Sequence, residues 1–114
     1  MASPTQRSLK RARDAGYVAA VVEKWNPHSR TRHDLFGVID LVELREDRIV
    51  GVQVTSSSNI SARVAKAKAE PRLAAWLRCG GLFEVHGWGK RQHNNRKLWR
   101  VRVVELHPED LQCD

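Results

Sequence analysis

Two cysteines, Cys79 and Cys113, are all this 114-residue chain has, and neither lies near histidine or another cysteine at zinc-ligand spacing. A disulfide framework and a structural zinc site are thereby excluded, and two distant cysteines are expected to stay as thiols. No apolar run approaches the length that crosses a bilayer, and the arginines near the N-terminus are followed by no apolar stretch or cleavage site. The expectation is an intracellular, cytoplasmic protein. No helix with a broad apolar face opposite its lysines can be traced either, so a membrane-surface role has no support.

Positive charge is abundant by contrast: 20 Lys and Arg stand against 13 Asp and Glu, a net charge of +7. Such a field attracts polyanions and displaces counterions from phosphates. At this length a single core forms without staples, so residues 1–114 are read as one domain.

Ser3, Pro4 and Gln6 make a helix start, and Gly16 should end that helix. Tyr17 to Trp25 then reads as a strand closed by Asn26-Pro27, and a basic loop runs from His28 to His33. Phe36 to Leu44 and Ile49 to Thr55 are two apolar runs joined by Arg45-Glu46-Asp47-Arg48, which predicts an antiparallel hairpin buried on both faces. Ser56 to Asn59 can cap a helix from about Ile60, which Pro71 either breaks or follows with a second helix. Leu73, Trp76 and Leu77 share one face there. After Gly80-Gly81, Leu82 to Trp88 and Leu98 to Leu106 read as strands around a basic turn, Gly89 to Lys97. The predicted class is mixed α/β, in the order α-β-β-β-α-β-β with helices packed on a mixed sheet.

A two- or four-residue turn at 45–48 sets Asp40 directly opposite Gln53, with Cβ atoms roughly 5 Å apart on one face. Thr55 lies diagonally on that face; a three- or five-residue turn would separate the polar groups. An aspartate between Ile39 and Leu41 must be hydrogen-bonded, salt-bridged or metal-bound. A second buried polar side chain converging on it favours a shared site.

Gly37-Val38-Ile39-Asp40, a hairpin, and Gln53-Val54-Thr55 resemble the active site of the PD-(D/E)XK nuclease superfamily. Within it they are most similar to Holliday-junction-resolvase-like nucleases of phages and prokaryotes. Arg32-His33-Asp34-Leu35-Phe36-Gly37 and the Asn59, Arg63, Lys66 helix add to the likeness, which covers most of the chain and implies a restriction-endonuclease-like core. The resemblance implies that Asp40 holds a metal, with Gln53 at the usual glutamate position, Thr55 at the usual lysine position, and Val54 offering its backbone carbonyl. It departs at three points: glutamine is a neutral ligand, threonine brings no positive charge, and the first helix offers only Asp14 near its end where the superfamily has a further glutamate.

Phosphodiester hydrolysis needs a hard cation, a water activated by it, and positive charge facing the phosphate. Mg²⁺ or Mn²⁺ is the expected cofactor. Asp34 or Glu23 is either an additional acid or a surface group. Arg63 and Lys66, one helical turn apart on a stripe with Asn59, either replace the lost lysine or form a solvated face. Arg30, Arg32, Lys90, Arg91, Arg96 and Lys97, with His93, suit phosphate contacts that position DNA without reading its sequence. Trp25, Trp76, Trp88 and Trp99 are read as core first and base-stacking second. His28, His33, His86 and His93 are read as surface or network residues. The expected activity is metal-dependent cleavage of DNA, with branched DNA as substrate, no membrane partner, and a homodimer as one assembly open to it. The rivals are a non-catalytic nucleic-acid-binding module and, more distantly, an adaptor for an acidic protein.

Overall fold

A computed structural model describes residues 2–111. Cys113 lies outside them, and Cys79 is an exposed free thiol. Helix α1 spans Pro4–Asp14; the Ser3 hydroxyl accepts from the Gln6 N–H at 3.2 Å, and Gly16, at φ +90°, carries the chain away from the helix end. Seven strands follow: β1 (Val18–Val21), β2 (Lys24–Asn26), β3 (Thr31–His33), β4 (Leu41–Arg45), β5 (Arg48–Ser56), β6 (Leu82–His93) and β7 (Arg96–Leu106). Helices α2 (Ile60–Lys68) and α3 (Pro71–Arg78) connect β5 to β6.

Five strands form one mixed sheet in the order β1-β4-β5-β6-β7, parallel only between β5 and β6, where the helical crossover demands it. The protein is thus mixed α/β, with α1 on one face of the sheet and α2 and α3 on the other. Alternation along β5 separates two cores. Val50, Val52 and Val54 join Leu9, Ala12 and Leu41 beneath α1, while Ile39, Ile60, Leu73, Leu77, Phe83 and Val85 pack on the other side. The second core comes unusually close to β6, because a Cβ on Gly87 would collide with Ile60 and one on Gly89 with Ser57. None of the described helices is long and apolar enough to cross a membrane.

Three strand expectations are corrected. The run Tyr17 to Trp25 is divided: β1 stops at Val21, and Lys24–Asn26 pairs with Thr31–His33 as a separate two-stranded hairpin. Phe36 to Val38 is a turn rather than strand, with Phe36 at φ +55° and Gly37 at φ +77°; Phe36 is apolar because its ring meets Trp76 edge-on at 6.4 Å. The basic segment Gly89 to Lys97 is mostly strand, since Asn94 and Asn95 alone adopt the positive φ of a two-residue hairpin turn. Pro71 opens a second helix, as its place in the first turn of α3 requires.

Candidate functional site

The β4–β5 turn consists of Glu46 and Asp47, and the pairs Leu41–Val52 and Arg45–Arg48 fix the register that the charged tetrapeptide predicts. Asp40 stands just ahead of β4, opposite Gln53. The Gln53 Nε2 donates to Asp40 Oδ2 at 2.7 Å, and the Val54 N–H donates to the same oxygen at 2.8 Å. Both side chains are deeply buried, Asp40 at 4% and Gln53 at 2% exposure. Thr55, also buried, follows on that face. Since N–H and C=O of a strand residue point to the same side, the Val54 carbonyl faces the gap that Asp40 occupies.

Two further acids converge here. Ligand atoms of Glu23, Asp34 and Asp40 lie within 4.8 Å of one another. Asp34 also comes within 3.5 Å of the Gln53 amide nitrogen. The β2–β3 hairpin explains the meeting: Lys24 pairs with His33, so one further step of that register sets Glu23 opposite Asp34 at the hairpin's foot. The turn from Asp34 to Ile39, closed by the Leu35 N–H bonding to the Ile39 carbonyl at 2.8 Å, then brings Asp40 in. Gln53 Oε1, by contrast, is buried with no hydrogen-bond partner among the described residues.

The electrostatics follow from crowding. Burial, then the hydrogen bond with Asp34, and then the charges of Asp34 and Glu23 push the Asp40 carboxyl up to about 8, against the opposing pull of the Val54 N–H. Three carboxylates this close need a proton or a cation between them. The acids do not line an open cleft: Glu23 has a side-chain exposure of 12% and accepts an ion pair from Arg32 at 3.0 Å. Arg32, expected to grip DNA, is thus occupied by an acid of the cluster, because both stand on one face of the hairpin.

Just ahead of α2, Asn59 donates to the Ser56 hydroxyl at 3.1 Å. Arg63 and Lys66 form no ion pair among the described residues and do not touch the acids. The Glu70–Arg72 ion pair, at 2.7 Å, lies against Gly37 in the turn leading to Asp40. Arg30 sits in the β2–β3 turn at φ +53°.

The extended β6–β7 hairpin sorts its cations by alternation. Arg91 and Arg96 share the α2 side with His93 and with Arg100 and Arg102, which stand opposite Gly89 and Gly87. Thr55 pairs with Gly87, so this arginine row continues the acid-bearing face. Lys90 and Lys97 point to the α1 side, where Trp99 carries the Arg7 guanidinium at 4.0 Å and the Lys90 ammonium at 5.4 Å. Sequence reasoning missed Arg100 and Arg102, although their period-two spacing with Leu98 and Val104 was visible.

A second polar line lies buried beneath α1, and of its members only His86 was read from the sequence, as a surface or network residue. Trp88 Nε1 donates to the Ser8 hydroxyl at 2.8 Å, Ser8 bonds to His86 Nδ1 at 2.9 Å, and His86 Nε2 bonds to Glu84 at 2.9 Å. Arg45 then bridges Glu84, at 2.9 and 3.1 Å, to Glu43, at 2.6 and 2.8 Å. Burial alone would raise the Glu84 carboxyl, but hydrogen bonds from His86 and Arg45 outweigh it and hold the group down to about 2. A cavity of about 420 Å³ lined by Arg11, Tyr17, Arg45, Glu84 and Glu105 opens beside this line. Ser8 and His86 are nevertheless fully buried, so the serine is a structural link between α1 and β6 and not an accessible nucleophile. No protein-family model, curated protein or solved structure matches this chain.

Proposed function

We propose that this chain is a metal-dependent nuclease that hydrolyses DNA phosphodiester bonds on a restriction-endonuclease-like core, acting inside the cell, with branched DNA as the substrate that the sequence resemblance favours. The observation that carries this reading is the meeting of Asp40 and Gln53 across β4 and β5, with Asp34 and Glu23 closing on the same spot. The buried, unpartnered Gln53 Oε1 supports it, since a half-turn of the amide aims that oxygen at the acids. Such an all-oxygen donor set fits a hard cation, Mg²⁺ or Mn²⁺.

Asp40, Asp34, Glu23 and the Val54 carbonyl would hold the ion, with Gln53 Oε1 after that half-turn. When bound, a cation of this kind lowers the pKa of water and neutralises charge developing on phosphate. The chain's own residues do the rest. Asp40 gives up the proton that burial and Asp34 keep on it, and Gln53 exchanges its donor for its acceptor. The arginine row of β6 and β7 holds the DNA backbone. Thr55 supplies no positive charge, so Arg63 and Lys66, which follow it on α2, are the cations proposed to face the phosphate.

Incubation with branched, duplex and single-stranded DNA, with and without Mn²⁺ or Mg²⁺, tests the reading. Metal-dependent cleavage is the expected result. Binding without cleavage under every condition would leave the non-catalytic nucleic-acid-binding module in its place.

A further inference from the structure

The β2–β3 hairpin is a separate two-stranded sheet, and its Trp25 is 58% exposed and belongs to neither hydrophobic core. Folding does not require a tryptophan there. The other exposed tryptophan, Trp99, already carries a guanidinium on its ring, whereas Trp25 carries no cation among the described residues. Residues 24–33 include Lys24, Arg30, Arg32, two histidines and no acid.

Register gives the hairpin its direction. Trp25 pairs with Arg32, Lys24 with His33, and one step further Glu23 stands opposite Asp34. Alternation therefore puts Trp25 and Arg32 on the same face as the two acids, two residues above them, a rise of about 7 Å. The Arg32–Glu23 ion pair confirms that shared face. A rise of about 7 Å corresponds to about two stacked nucleotide steps of roughly 3.4 Å each.

We infer that this hairpin reads unpaired nucleobases: Trp25 stacks on a base exposed one or two nucleotides from the phosphate at the acid cluster, while Arg32 and Arg30 hold the adjoining phosphates. A base within intact duplex has both faces covered by its neighbours, so the stack forms only at a single strand, gap or branch. Arg32 must leave Glu23 to reach a phosphate, and Glu23, which already lies beside Asp34 and Asp40, then loses its cation partner. The inference deepens the nuclease reading and rests on it for the position of the phosphate; the stacking itself is a binding event.

The test measures affinity with Ca²⁺ in place of Mg²⁺, for an oligonucleotide single strand, a gapped duplex and an uninterrupted duplex, using wild type, Trp25→Ala and Trp25→Phe. Trp25→Ala should weaken binding to the single strand and the gapped duplex roughly tenfold, the loss of one base stack. It should change duplex binding less than about twofold, and Trp25→Phe should keep most of the affinity, because phenylalanine retains a stacking face. Equal loss on all three DNAs, or no loss on any, overturns the inference. So does tight binding to phosphatidylserine vesicles that Trp25→Ala abolishes while DNA affinity stays unchanged, which would make the hairpin a membrane contact. Cleavage by wild type is scored separately, and its absence would overturn the nuclease reading without touching these affinities.

Discussion

Gln53 donates its amide N–H to Asp40 across 2.7 Å, and the amide oxygen left on its far side has no partner among the described residues. The pair is complete as a hydrogen bond and incomplete as a set of donors and acceptors. A buried oxygen in that state is costly, and a cation or a hydrogen-bond donor that reaches it relieves the cost.

Asp40→Asn keeps size and polarity but removes the one group of the cluster that can release its buried proton and meet a cation with charge. Cleavage should fall at least about a hundredfold, while metal-free DNA affinity stays level, because the carboxyl it replaces already holds its proton at neutral pH. Paired cleavage and binding assays check this; wild-type cutting by the variant would show the site to be misplaced.

The raised Asp40 carboxyl carries a pH signature of definite sign. Between its ordinary 3.8 and about 8, the folded protein holds a proton that the unfolded chain has released. Stability from this group is therefore full below the lower value and is lost as pH rises through the upper one. A bound cation competes with the same proton, so Mn²⁺ affinity should increase from pH 6 to pH 9 by up to about tenfold per unit. Calorimetric titration at several pH values measures it, and in Asp40→Asn the slope should flatten.

Gln53→Glu places a fourth carboxylate where an amide now donates to Asp40. Without metal the melting temperature should fall; with Mn²⁺ it should recover, because an added charged ligand tightens binding by roughly tenfold or more. Thermal melts in EDTA and in Mn²⁺ give the comparison, and an unchanged gap between them would argue against Gln53 facing the ion.

Along the β6–β7 hairpin the two faces should differ in function. Replacing Arg100 and Arg102 together with alanine should weaken binding to all DNA sequences alike and reduce the salt slope by roughly 2, about 0.9 for each lost phosphate contact. Lys90→Ala with Lys97→Ala, on the opposite face, should change it less. Salt titrations of DNA affinity separate the two pairs.

Beneath α1, Ser8→Ala leaves both Trp88 Nε1 and His86 Nδ1 without their shared partner and should cost about 2 kcal/mol or more of stability. Glu84 adds an acid limb: its depressed carboxyl contributes stability above its ordinary 4.5 that is lost as pH falls towards about 2. Chemical denaturation from pH 7 to pH 3 should show that loss in wild type and a flatter profile in Glu84→Gln, with metal binding retained.

The meeting of Asp40 and Gln53 was legible because Arg45-Glu46-Asp47-Arg48 allows few turn lengths and the even-numbered ones share one register. What escaped was decided by tertiary contact. Phe36 and Val38 have strand composition, yet they form a turn: Val38 is buried in the core beside Ile39, while Phe36 stays partly exposed with its ring edge-on to Trp76. Glu23 and Asp34 lie eleven residues apart, and nothing local joins them except a hairpin whose turn rests on Asn26 accepting from the His28 N–H at 2.9 Å. Glu43 with Arg45 and Glu84 with His86 did carry a signal, polar pairs at period two within apolar strands, which marks a polar seam on one face of a sheet.

The foot of the β2–β3 hairpin holds Glu23 and Asp34 in register with each other, so everything above that foot is an interchangeable cartridge. Lengthening both legs by two residues would move the tip outward and leave Trp25 and Arg32 over the acids. Lengthening both legs below Trp25 by one would turn the tryptophan to the opposite face while the acids stayed in place. On the inferred base-stacking role of Trp25, substrate preference would turn on the parity of a leg length, a quantity that can change without disturbing a single acid of the cluster.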